Sequence, residues 1–60
     1  MGVLNVLIVD DEALARLRLR SLLADAAAAG GVATQAEEAM DAEQARVWLA
    51  RRSFDLLLLD

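Results

Sequence analysis

The sequence contains no cysteine, no histidine and no lysine. Without cysteine there is no disulfide to support a small core, and a thiolate zinc site is excluded. Without histidine, the commonest general base and the commonest metal ligand are both missing. Any metal the chain holds is therefore a hard cation bound through oxygen. Positive charge comes only from six arginines, set against ten acids for a net charge of −4. They fall in two groups, Arg16/Arg18/Arg20 and Arg46/Arg51/Arg52, and neither is interleaved with aromatics as a nucleic-acid-binding stripe would be. Long apolar runs are missing as well: the longest are about seven residues, against the ~20 of a membrane span. No basic segment precedes the first apolar run, so the N-terminus does not read as a secretory signal. These absences predict a cytoplasmic protein that does not enter a membrane. A chain of this size buries only ~60% of its unfolded surface, so it has little stability in reserve.

What is present is a pair of apolar segments, each ending in carboxylate. Val6-Leu7-Ile8-Val9 runs into Asp10-Asp11-Glu12, and Leu56-Leu57-Leu58-Leu59 runs into Asp60. Buried parallel strands have this form when their C-terminal ends build a site. If the two strands are neighbours, Asp10, Asp11 and Asp60 meet at one edge of a sheet. Three carboxylates held together require a cation.

Between these segments the pattern is β-α-β-α-β. Val3–Val9 reads as a strand, and Ala13–Ala29 as a helix ending at Gly30-Gly31, where a left-handed C-cap is available. Asp10 or Asp11 is the expected N-cap, with Glu12 in the first turn. Helical spacing puts Ala15, Leu19, Leu22, Leu23 and Ala26 on the inner face, Arg16 and Arg20 on another, and Leu14 and Leu17 on a second apolar stripe suited to a further helix. Residues 32–38 read weakly as an edge strand. Asp41-Ala42-Glu43-Gln44 resembles a capping box opening a helix to about Arg52, with Ala42, Ala45, Trp48 and Leu49 inward. The crossovers are long enough for parallel pairing.

Residues just past a strand end escape the core, so Asp10, Asp11 and Asp60 can converge in the loop crevice that serves as the usual ligand site of open α/β sheets. Magnesium fits such a place, being bound by one or two carboxylates, waters and phosphate oxygens. A carboxylate there can also act as a nucleophile toward phosphorus, giving an acyl phosphate. Taken alone, Asp10-Asp11-Glu12 is equally explained as helix capping.

Val6-Leu7-Ile8-Val9-Asp10-Asp11-Glu12 followed by Leu14-Ala15-Arg16, with Asp55-Leu56-Leu57-Leu58-Leu59-Asp60 about fifty positions on, resembles a response-regulator receiver domain. The stretch from Val9 to Arg16 is most similar to receivers of regulators with LytTR-type DNA-binding domains. The resemblance covers the whole chain but only the first half of a receiver, through its third strand. It implies the N-terminal β-α-β-α-β part of a flavodoxin-like parallel sheet, a partial receiver over residues 1–60 truncated at the end of the third strand. It also implies that Asp60 is the phosphoryl acceptor, that Asp11 ligates Mg2+ directly, and that Asp10 assists through the metal or its waters. The metal set is then Asp10, Asp11 and Asp60.

The donor implied is a phosphohistidine on a sensor histidine kinase. DNA contact would come only through an absent output domain, and homodimerisation could follow phosphorylation. Such a module is a phosphoacceptor rather than an enzyme. The receiver site also includes a Ser/Thr and a Lys from later strands, which this sequence lacks. Ala13 and Ser53 stand where relatives often have proline, a difference in local stiffness.

Two other readings remain open. Asp10 and Glu12 have the acid-x-acid spacing of phosphatases of the haloacid-dehalogenase type, which implies a Mg2+-dependent enzyme with an Asp nucleophile, although Leu14 departs from that pattern. A non-catalytic α/β fragment whose acids only cap and solubilise is the third. Trp48 reads as packing, and the arginines as a solvated helix face, with Arg16 a candidate for kinase docking. A leucine-rich third strand with one exposed edge predicts poor stability and aggregation of the isolated 60 residues.

Overall fold

A computed structural model of the chain describes residues 2–59; Met1 and Asp60 lie outside the described residues. The elements run β1 (Leu4–Val9), α1 (Ala13–Ala28), β2 (Thr34–Ala39), α2 (Ala42–Arg51) and β3 (Leu56–Leu59). The strands form one parallel sheet in the order β2-β1-β3. The chain therefore leaves β1 to one side and returns to its other side, which makes β1 the point where strand order reverses. Val9 pairs with Ala39 and with Leu59, so the strands end level. Among the described residues no helix is long and apolar enough to cross a membrane.

Neighbouring strand residues point to opposite faces, and β2 uses this to hold a helix on each side. Glu38 takes Arg16 and Arg20 of α1, at 2.9 and 2.7 Å, while Glu37 takes Arg52 from the end of α2, at 2.8 Å. The first crossover runs from β1 to β2 and the second runs back from β2 past β1 to β3, and the right-handed rule for such connections puts their helices on opposite faces. The weak strand signal over residues 32–38 has its explanation here. Gln, Ala and Glu are poor strand formers on their own, and arginines from both helices complete β2.

β1 supplies most of the core: Val6, Leu7 and Ile8 are 0% exposed. Leu7, Ala39 and Ala45 form a cluster on the α2 face, with Val9, Trp48 and Phe54 packed against it. Arg52 lies over both aromatic rings, 5.9 Å from the Trp48 centroid and 5.3 Å from that of Phe54. The α1 face is thinner. No α1 residue is fully buried, and its inner row is Ala15, Arg16, Leu19, Leu23 and Ala27, all half-buried. The expected inner positions Leu22 and Ala26 are exposed. Arg16 stands in the inner row instead, with its Nε bonded to Glu38 Oε1. Leu14 and Leu17 are exposed, in keeping with a separate outer stripe. On α2, Ala45 and Trp48 face inward, whereas Ala42 and Leu49 do not.

The helix ends follow local chemistry. Gly30 has φ +96°, and Gly30 N–H and Gly31 N–H donate to the Ala27 and Ala26 carbonyls, the Schellman arrangement. Asp41 caps α2 by accepting from Gln44 N–H at 2.8 Å, and Gln44 Oε1 reaches back to Met40 N–H at 2.9 Å. The α1 start departs from expectation, because Glu12 is the N-cap and makes no side-chain cap bond. Asp11 and Asp10 therefore lie one and two residues outside the N-cap position.

Side chains also reach the outer margin of β2. Ala33 and Ala39 direct their carbonyls toward β1, bonded to Leu4 N–H and Asp10 N–H, so by alternation those of Ala36 and Glu38 point away. Arg20 Nη2 donates to the Ala36 carbonyl at 3.0 Å, and Trp48 Nε1 donates to that of Glu38 at 3.0 Å.

Candidate metal centre

The acidic turn begins where β1 runs out. Asp10 N–H still bonds to the Ala39 carbonyl at 3.1 Å, which holds the residue to the sheet. Its carboxylate Oδ1 accepts the Glu12 N–H at 2.9 Å, closing a tight turn into α1. Asp10 is 4% exposed, while Asp11 and Glu12 are exposed. One carboxylate oxygen from each of Asp10, Asp11 and Glu12 lies within 4.8 Å of the others. The positive end of the α1 dipole offsets part of their mutual repulsion.

The donor set fits a hard divalent cation. It is all oxygen, it combines one anchored carboxylate with two that face water, and it leaves room for the waters Mg2+ retains. Asp10 and Asp11 are brought together as the sequence suggested. Glu12, which is absent from the set Asp10, Asp11 and Asp60 that the receiver resemblance implies, lies with them. Asp60 lies outside the described residues, and the last ladder pair, Val9 with Leu59, comes one position before Asp10 and Asp60. Beside the turn, between α1 and β3, is a groove of about 450 Å³ bordered by Asp10, Ala15, Leu19 and Leu57–Leu59, with Arg18 at its rim.

Arg16 is the residue the sequence reading undervalued. It is not part of a solvated face: its side chain is 17% exposed, Nε bonds to Glu38 Oε1 at 2.9 Å, and Nη1 donates to the Asp10 carbonyl at 2.7 Å. The signal was the Arg16/Arg20 pair one helical turn apart, matched to a Glu on the adjoining strand. Hydrogen bonds from Arg20 first, and then Arg16, hold the Glu38 carboxyl below the usual carboxylate range against a smaller opposing effect of desolvation. Trp48 packs as expected and in addition donates its indole N–H to β2.

No family model, curated protein or solved structure matches the chain.

Proposed function

We propose that this chain is the N-terminal part of a response-regulator receiver: a phosphoacceptor module that takes a phosphoryl group from a sensor histidine kinase onto Asp60. The observation that carries this reading is the acidic turn at the C-terminal end of β1, with β3 as its direct parallel neighbour ending level with it. The order β2-β1-β3 also supports it, being the first three strands of the flavodoxin-like order 2-1-3-4-5, whose ligand crevice lies between β1 and β3. Regulation of transcription through a DNA-binding output domain follows from the same resemblance.

In this reading an Asp60 carboxylate oxygen attacks phosphorus of the phosphohistidine. The new P–O bond forms as the P–N bond breaks, and the imidazole leaves with the electron pair. Asp10 and Asp11, with Glu12 beside them, would hold Mg2+. When bound, Mg2+ supplies charge neutralisation for the transferring phosphoryl group. Asp10 contributes a carboxylate whose direction is set by the Glu12 N–H, and Asp11 contributes one open to solvent.

The closeness of Asp10 to Glu12 favours a second reading, a Mg2+-dependent phosphatase whose nucleophile is Asp10. Labelling the full-length protein with acetyl phosphate and mapping the acyl phosphate separates the two. The receiver reading expects label on Asp60, lost in Asp60→Asn and dependent on Mg2+. Unchanged labelling of Asp60→Asn would refute it, and label mapped to Asp10 would favour the phosphatase.

A further inference from the structure

Asp10 is held at three of its polar atoms. Its N–H bonds to the Ala39 carbonyl, its Oδ1 accepts from Glu12 N–H, and its carbonyl accepts from Arg16 Nη1 at 2.7 Å. The third contact differs from the others in coming from a charged side chain a full turn into α1. Asp10 lies one residue past the end of β1 and is still bonded to β2 through its N–H, so the Arg16 contact falls where the strand gives way to the turn. A trans peptide is planar, so fixing the Asp10 carbonyl also fixes the direction of the Asp11 N–H and the start of the Asp11 backbone. The Arg16 guanidinium thus bears on the peptide through which both aspartates leave the strand.

That guanidinium is itself anchored. Arg16 Nε is bonded to Glu38 Oε1, and the other Glu38 oxygen is occupied by Arg20 at 2.7 Å. The fork geometry lets Arg16 bond to β2 and to the Asp10 carbonyl at once, which a lysine ammonium on a flexible stem cannot reproduce. Glu38 also offsets the positive charge that Arg16 would otherwise set beside a cation site. Outer contacts of this kind are what orient metal-binding carboxylates.

We propose that Arg16 is a positioning residue for the acidic turn, and that the Glu38–Arg16–Asp10 carbonyl relay sets the aim of the Asp10 and Asp11 carboxylates toward a divalent cation. The proposal rests on reading Asp10–Glu12 as a cation site. Electrostatics alone makes the opposite prediction: deleting a nearby positive charge tightens cation binding.

The test is Mn2+ binding to the full chain, read from the free-ion electron paramagnetic resonance signal with Mg2+ as competitor, for the wild type, R16K, R16Q and R20Q. Positioning predicts that R16K and R16Q both bind about 10-fold more weakly, while R20Q, which keeps the Asp10 contact, is unchanged or tighter. R16Q binding as tightly as the wild type, or more tightly, overturns the proposal. Thermal melts of each variant separate loss of fold from loss of aim, and R16K is the variant that retains the charge.

A metal-free readout covers failure of the underlying reading. The Glu12 amide, bonded to Asp10 Oδ1, is expected to exchange ~5-fold faster in R16K, with the Val6–Ile8 amides unaffected. If the wild type binds no Mn2+, the cation reading falls and the Glu12 amide still decides the role of Arg16: unaltered exchange there refutes it.

Discussion

The turn after α1 contains two glycines, and the one with the ordinary backbone is expected to be the harder to replace. Gly30 has φ +96°, yet a Cβ added there meets nothing within 4 Å. The cost of Gly30→Ala is the left-handed penalty alone, ~1–2 kcal/mol. Reduced freedom of the unfolded chain offsets ~0.4–1 kcal/mol of it, which leaves about 1 kcal/mol. At Gly31 a Cβ would lie 2.6 Å from the Ala26 carbonyl oxygen and 3.2 Å from its carbon. These are backbone atoms and cannot rotate away.

Relief at Gly31 means moving that residue outward, but its own N–H bonds to the same oxygen at 2.9 Å. The motion that removes the clash therefore stretches the bond that closes the helix. Overpacking at ~1–3 kcal/mol and a weakened hydrogen bond at ~1 kcal/mol, less the same unfolded-state offset, give about 2–3 kcal/mol for Gly31→Ala. Urea denaturation followed by the fluorescence of Trp48, the sole tryptophan, measures both variants. The expected order is wild type, then Gly30→Ala, then Gly31→Ala, with Gly30→Asn milder than Gly30→Ala because Asn tolerates the left-handed region. A Gly31→Ala protein as stable as the wild type, or more stable than Gly30→Ala, would show that the close approach to Ala26 is not a constraint.

Two further outcomes concern β2. Trp48→Phe keeps an aromatic ring against Phe54 but removes the donor to the Glu38 carbonyl, so a loss of about 1 kcal/mol is expected; because the fluorophore is gone, circular dichroism must follow the unfolding, and an unchanged midpoint would mean the indole bond contributes nothing. Glu38 has its carboxyl held below the usual range by Arg20 and Arg16, so its contribution is present above the unfolded-state value of ~4.3 and is lost as pH falls through the lower folded value. Glu38→Gln should accordingly flatten the acid limb of the stability–pH profile between about pH 5 and the folded value, and a parallel profile would refute the assignment.

The order of elements was legible in the sequence because hydrophobic runs, glycines and a capping pair mark each boundary. Val3–Val9 against Leu4–Val9, and Ala13–Ala29 against Ala13–Ala28, differ by a residue at one end. What escaped was the set of interactions between distant polar groups. A helical wheel sorts residues by hydrophobicity and sends Arg16 to solvent; only the position of Glu38 on the neighbouring strand brings it inward. The inner row accordingly includes Arg16 and Ala27, while Leu22 and Ala26 are exposed. The same holds for the candidate site. Asp10 and Asp11 announce themselves by ending an apolar strand, whereas Glu12 reads as the start of the helix that its backbone begins. Its carboxylate joins theirs only through the turn that Asp10 Oδ1 closes.

The bonds from Arg20 and Trp48 occupy two of the outward carbonyls of β2, those of Ala36 and Glu38. Among the described residues, β3 carries no such side-chain cover on its outer margin. A strand added alongside Thr34–Ala39 would have to displace these two bonds, whereas one added alongside Leu56–Leu59 would displace none among the described residues. A strand added beside β3 would reach the crevice above β1 from the β3 flank, while Glu38 and Arg16 lie on the β2 flank. The acidic turn thus has the Glu38–Arg16 contacts on its β2 side and the apolar strand Leu56–Leu59 on the other.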